Sequence, residues 1–337
     1  MGLKLFKKDH INLVSDSYTF TYPNNYTMIT FTSIENIFYL IYSNKENSII
    51  SYNLLDKKKI NEIKKAHNKN IINFRHYLDI NLKNDLIISI SFDGNLKLWV
   101  INNLECLFNI QKAGFLYSAC FLFENNTTFI ITGNIFIKVY DLEGKIVREI
   151  SEPNDRSYIV ESYFDKKMSH NFIITGNEDY IKSFDYNKNK LYHKYYDVDE
   201  EEEESIPHCS ILIYDKVKIV KLIESSMDGC IRIWDFHKGE LLDKLKVGTK
   251  IIRGNNRTFH NIEILCSICF WDDKYLIAAC NNSIKIIDLH DLKITKTIED
   301  ENVITVQKVI LPKIGNFLIS QGNENSTIKL WKLENFL

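Results

Sequence analysis

Proline occurs four times and glycine twelve times in 337 residues, and alanine and glutamine are scarce, whereas Asn, Lys, Ile, Tyr and Phe are abundant. This skew is the imprint of an AT-rich genome. It drains meaning from the Asn-X-Ser/Thr triplets at Asn25-Tyr26-Thr27 and Asn256-Arg257-Thr258, which an Asn-rich chain forms by chance. A net charge of −2 leaves no general attraction to nucleic acid or to an acidic membrane, so any electrostatic function has to be local. The N-terminal stretch MGLKLFKKDH has no apolar run long enough for a signal peptide, and no transmembrane stretch follows. Seven cysteines, an odd number scattered among apolar runs, read as reduced core thiols of a cytoplasmic or nuclear protein.

Reactive constellations are missing too. Nine histidines are dispersed singly, none beside a Ser or Cys in a nucleophile motif, and no Gly-rich loop could cradle a phosphate. Cys266 and Cys269 have the spacing of a metal or redox pair. They lie in a strand-like run, however, where positions three apart face opposite sides, and no second pair completes a zinc site. The expectation is therefore a protein without enzyme activity, cofactor or metal.

What is present in quantity is apolar surface, at 45% of residues, with 12% aromatics, enough for a large core. It recurs. The segments SFDGNLKLW ending at Trp99, SSMDGCIRIWD ending at Asp235 and NENSTIKLW ending at Trp331 are near copies, with fainter echoes around Tyr52, Tyr140, Phe184 and Ile287. Successive anchors (Tyr52, Trp99, Tyr140, Phe184, Trp234, Ile287, Trp331) are 47, 41, 44, 50, 53 and 44 residues apart. A period in the forties is that of a four-stranded propeller blade. The expected fold is all-β: a seven-bladed β-propeller of four-stranded antiparallel blades. It would form one domain over 1–337, with blades spanning about 18–335 and residues 1–17 as an N-terminal extension.

Within a repeat the apolar pattern breaks into short runs. Around the second anchor these are Ile71 to Tyr77, Leu86 to Phe92, Leu96 to Ile101 and Cys106 to Ile110, which suits strands joined by tight turns. Asp93-Gly94 and Asp228-Gly229 are strong hairpin signals, because glycine takes positive φ without steric cost. Asn134, Asn177, Asn281 and Asn325 stand near the same turn elsewhere, as the next best residue for such a conformation.

These motifs resemble the WD-repeat (WD40) family. Its blade carries a Gly-His pair before the inner strand, Ser or Thr in the second strand, Asp in the next turn and Trp-Asp ending the third. The resemblance implies a structural hydrogen-bonded network from those side chains. In the second repeat they are His67, Ser89 or Ser91, Asp93 and Trp99, with Ala66 and Val100 in place of the family's Gly and Asp. In the fifth they are His208, Ser225 or Ser226, Asp228 and Trp234, followed by Asp235. The last repeat stops after its third strand, and an N-terminal segment, Tyr18 to Tyr22 in preference to Leu3 to Lys7, is expected to supply the fourth.

Two insertions break the period, and the resemblance puts both on one face of the disc. One is acidic, with Asp197, Asp199 and Glu200 to Glu204; the other is basic, with Lys244, Lys246, Lys250, Arg253, Arg257 and His260 around Ile251, Ile252 and Phe259. The acidic run reads as a solvated loop, and a pairing between the two loops is a further option. The resemblance implies a monomeric scaffold for protein or peptide partners. The residue types that dominate interfaces point to Phe115, Arg156, Lys246, Lys250, Arg253, Arg257 and Phe259. One alternative is a phosphoinositide-binding propeller using the basic 244–260 loop. Leu245 to Thr249 is similar to the frame of that motif, but Val247 stands where its second arginine belongs. A site at the channel mouth is the enzymatic alternative. The Arg that marks ubiquitin-ligase substrate receptors, in a WDxR motif, is absent from the stretches beginning at Trp234, Tyr140, Phe184 and Ile287.

Overall fold

The computed structural model describes residues 28–44, 46–79, 83–111, 116–134, 136–151, 156–177, 179–197, 208–216, 218–248, 265–299, 303–311, 315–322 and 328–332. Every regular element among them is a strand. Blade 1 comprises β1 (Met28–Thr32), β2 (Phe38–Ser43), β3 (Ile49–Asn53) and β4 (Lys58–Ile63), and blade 2 comprises β5 (Ile71–Asp79), β6 (Asn84–Ser91), β7 (Leu96–Val100) and β8 (Glu105–Ile110). Blade 3 holds β9 (Ser118–Glu124), β10 (Thr127–Gly133), β11 (Phe136–Tyr140) and β12 (Ile146–Ser151), and blade 4 holds β13 (Ile159–Asp165), β14 (His170–Gly176), β15 (Ile181–Asp185) and β16 (Lys190–Tyr195). Blade 5 holds β17 (His208–Tyr214), β18 (Lys221–Ser226), β19 (Cys230–Asp235) and β20 (Leu241–Lys246), and blade 6 holds β21 (Leu265–Phe270), β22 (Tyr275–Cys280), β23 (Ser283–Asp288) and β24 (Lys293–Glu299). Blade 7 shows β25 (Val303–Leu311), β26 (Gly315–Gly322) and β27 (Ile328–Lys332). Each blade is an antiparallel meander running outward from its first strand.

The first strands β1, β5, β9, β13, β17, β21 and β25 each touch the next, and β25 returns to β1, so the ring closes. At the closure Gln307 Oε1 accepts hydrogen bonds from Thr30 N at 3.0 Å and Thr30 Oγ1 at 3.1 Å. The molecule is a seven-bladed β-propeller. The segments expected to add a fourth strand to blade 7, Tyr18 to Tyr22 or Leu3 to Lys7, lie outside the described residues.

The core is not one mass but seven slabs, one between each pair of neighbouring blades. This explains the continuous apolar runs. In β6, Leu86, Ile88 and Ile90 pack toward blade 3 while Ile87 packs toward blade 1. Alternation is still present, but both faces are buried, so polar residues do not mark it. In blades 1 to 6 the ladder between third and fourth strands slips at the anchor, for example between Leu98 and Trp99 and between Ile233 and Trp234. This recurrent bulge re-aims each anchor side chain.

Gly94 (φ 80°) and Gly229 (φ 82°) take the left-handed conformation that their Asp-Gly turns require. The asparagines behave differently from expectation. Asn134, Asn177 and Asn281 do not have positive φ; Asn177 instead shapes its turn through its side chain, Oδ1 accepting Asp179 N and Tyr180 N at 2.8 Å each. Asn325 lies outside the described residues.

Candidate partner-binding face

Because each blade runs antiparallel from the channel outward, the connections from a fourth strand to the next first strand all emerge at one end of the ring. Both insertions are such connections: the acidic one joins β16 to β17, and the basic one joins β20 to β21. Phe115 belongs to the β8–β9 connection and Arg156 to the β12–β13 connection at the same end. Arg156 is exposed. Phe115, Lys250, Arg253, Arg257, Phe259 and the run Asp199 to Glu204 lie outside the described residues.

The floor beneath these loops is built from buried polar groups. In blade 2, His67 Nε2 lies 2.7 Å from Ser89 Oγ, which accepts the Trp99 indole N–H at 2.8 Å. The Ser89 hydroxyl, while accepting from the indole, donates its own proton to Nε2, because the carboxylate of Asp93 can only accept and so places the single N–H of the neutral imidazole on Nδ1. That nitrogen faces Asp93 Oδ2 at 3.3 Å. Asp93 is fixed in turn by Asn68 N at 2.8 Å and Asn95 N at 2.9 Å. Burial pushes the His67 imidazole down to about 4 despite Asp93 beside it, so the ring is neutral at physiological pH. Ser91, the other serine considered, braces the turn: its hydroxyl donates to Lys69 O at 2.8 Å and accepts from Asp93 N at 3.1 Å.

Blade 5 is built differently. Ser89 faces Lys97 across the β6–β7 ladder, and the residue facing Arg232 in the same way is Glu224, not Ser225 or Ser226. With a carboxylate where blade 2 has a hydroxyl, Trp234 Nε1 has no acceptor among the described residues, although the ring is buried. Asp228 and Trp234 are therefore not joined as Asp93 and Trp99 are, and the His208 side chain lies outside the description. Glu224 serves Arg232 instead: NH1 is 3.6 Å from Glu224 Oε1, Nε donates to Asp197 Oδ2 at 2.8 Å, and NH2 donates to Asp228 Oδ2. The desolvation of Arg232 is outweighed by Glu224 and Asp228, which raise its pKa above the ordinary value.

Two expectations about the insertions need correction. Asp197, expected in a solvated acidic loop, is buried and receives both Arg232 and, at 2.7 Å, Lys244 Nζ. Burial would raise its carboxyl pKa; hydrogen bonds from those two cations prevail and lower it. Lys244 and Lys246, expected within the basic insertion, are not loop residues. Both belong to β20, and Lys246 Nζ donates to Asp228 O at 2.5 Å, closing the Asp-Gly turn. Their ammonium groups are occupied in holding the ring's end together. Val247 is likewise buried, with its carbonyl accepting Lys285 Nζ at 2.6 Å.

A device missed in the sequence links these contacts. Two residues before the anchor stands a cation in six repeats: Lys97, Lys138, Lys182, Arg232, Lys285 and Lys329. Lys97 donates to Ala66 O at 2.6 Å, Lys285 to Val247 O and Arg232 to Asp197, so each reaches the chain leaving the preceding blade's fourth strand. The signal was legible as a Lys/Arg recurrence at fixed offset, but it was masked by the general abundance of lysine.

In the channel, Arg75 of β5 and Glu161 of β13 form a 2.5 Å ion pair past the first strand of blade 3. Burial raises the Glu161 pKa, with Arg75 opposing. All seven cysteines are free thiols. Burial pushes Cys230 up to about 11 and Cys269 up to about 12, far from thiolate chemistry. Among the described residues no cluster of three or more His, Cys, Asp or Glu side chains could hold a metal, and no helix is long and apolar enough to cross a membrane.

Fold and floor together define a seven-bladed β-propeller whose loop-bearing end is braced from within. No protein-family model matches the chain, and a search of curated proteins finds no match.

Proposed function

We propose that the protein is a non-enzymatic interaction scaffold of the WD-repeat type that binds protein or peptide partners through the end of the disc bearing the insertions. The observation that carries this reading is the buried polar bracing at the insertion roots, where Asp197, Arg232, Lys244 and Asp228 interlock. Loops rooted in a rigid frame lose little freedom on binding, and a frame of this kind suits recognition. The histidine, serine, aspartate and tryptophan of blade 2 support the WD-repeat resemblance, being joined within hydrogen-bond reach.

The test is co-purification of the full chain from native cells with mass spectrometry, beside a variant in which Lys250, Arg253, Arg257 and Phe259 are replaced by serine. Expected are protein partners retained by the parent and lost by a variant with unchanged Tm. Retention of every partner by the variant would refute the use of this loop. Binding to phosphoinositide vesicles, lost in the same variant, would replace the scaffold reading with a lipid one.

A further inference from the structure

The opposite end of the ring carries the turns between first and second strands, and its surface chemistry is unlike that of the insertion end. The penultimate residue of the innermost strand is apolar in six consecutive blades, from the seventh through the first to the fifth: Ile310, Phe31, Leu78, Phe123, Phe164 and Ile213. Phe123 is 43% exposed, Phe164 49% and Ile310 58%. None of these three belongs to an interblade slab, which their strand neighbours already fill. Tyr77 bridges blades 2 and 3, its ring 5.1 Å from Phe121 and 6.5 Å from Phe123, which makes the arc continuous there. Single exposed apolar side chains are ordinary; an arc of them around a channel mouth marks a binding surface.

Charge selects the occupant. The first-to-second turns of blades 2 to 5 expose Lys83, Lys166, Lys167, Lys216 and Lys218. Among the described residues of these turns Glu124 accepts from Asn187 and Asp215 accepts from the Tyr163 hydroxyl, and Lys216 is paired with Asp273 of blade 6 at 2.5 Å, which leaves Lys83, Lys166, Lys167 and Lys218 as the basic set. This arc is basic in a chain whose net charge is −2. A second copy docked on a two-fold axis would bring these lysines against each other.

We propose that this mouth docks an acidic peptide segment with bulky apolar anchors, supplied by another protein. The anchors fill the Phe123–Phe164 arc, and the acidic side chains meet Lys166 and Lys218. This surface is independent of the insertion loops at the other end.

The experiment pans a displayed library of random peptides on the full chain and titrates the recovered sequences by fluorescence polarisation. Expected are net acidic peptides with aromatic or aliphatic anchors, weakened about tenfold or more by Phe123→Asp/Phe164→Asp. A separate charge variant, Lys166→Glu/Lys218→Glu, should weaken them comparably, and added salt should do so too. Both variants change exposed positions and keep the parent Tm, while the serine variant of the insertion loop binds as the parent does. No enrichment, neutral or basic sequences, or undiminished binding to both variants would overturn the proposal. So would flotation on phosphatidylserine vesicles, or a dimer on a sizing column, that is abolished by Phe123→Asp/Phe164→Asp.

Discussion

Trp99 and Trp234 occupy the same place in blades 2 and 5 and are 4% and 2% exposed, yet only Trp99 has its indole N–H bonded among the described residues. Replacing either with phenylalanine removes the same atoms from a buried site, so the lost transfer energy and residual cavity are matched at roughly 2 kcal/mol each. At Trp99 the change also removes the bond to Ser89 Oγ, about 1 kcal/mol net. At Trp234 it removes a buried donor without an acceptor, relieving a desolvation cost of about 1 to 3 kcal/mol. Trp99→Phe should therefore cost about 2 to 4 kcal/mol more than Trp234→Phe. For 337 residues the unfolding entropy is about 0.7 kcal/mol per degree, so the two midpoints should differ by about 3 to 6 °C. Calorimetry at pH 7.5 reads this directly; should unfolding proceed in steps, the first transition is compared. A Trp234→Phe midpoint as low as that of Trp99→Phe would refute the assignment of different partners to the two indoles.

His67 predicts a loss of stability in acid. Its folded pKa of about 4 lies below the ordinary 6.5, so both states are neutral above pH 7 and nothing is gained there. As pH falls through 6.5 the unfolded chain takes up a proton that the folded ring refuses, and stability declines until about pH 4, by about 3 kcal/mol in total. His76, whose pKa is also lowered by burial, adds in the same direction. His67→Gln should flatten the fall in Tm between pH 7 and pH 5; an equally steep fall would count against this origin. Arg232→Met should lower Tm by about 4 to 7 °C, corresponding to about 3 to 5 kcal/mol, because Glu224, Asp228 and Asp197 are left buried with Lys244. Adding Glu224→Gln should restore part of that loss, and no rescue would show that carboxylate repulsion is not the cause.

Much of the fold was written locally. The anchors and the Asp-Gly turns are short-range features, so Trp99, Trp234, Gly94 and Gly229 could be placed from the chain alone. His67, Ser89, Asp93 and Trp99 were also within reach, because one repeat contains all four. What could not be read was which serine stands opposite the ladder cation. Ser89 and Ser91, or Glu224 and Ser225, differ by one or two steps along a strand, and only register decides which faces the neighbouring strand. The role of Asp197 was hidden for a related reason. In sequence it heads an acidic run, but its partners Arg232 and Lys244 lie 35 and 47 residues away.

The sequence by itself determined the number of blades, their strand order and the end of the ring from which both insertions leave, since these follow from a repeated local pattern and antiparallel connectivity. Tertiary structure alone decided which charges are paired within the molecule. Lys244, Lys246, Lys166 and Lys218 look the same in a list of residues and all four are exposed, but the first two end on Asp197 and on the carbonyl of Asp228, while the latter two stand beside an apolar arc. Burial and pairing are properties of distance in space, and a side chain's charge acquires its function only when those distances are set.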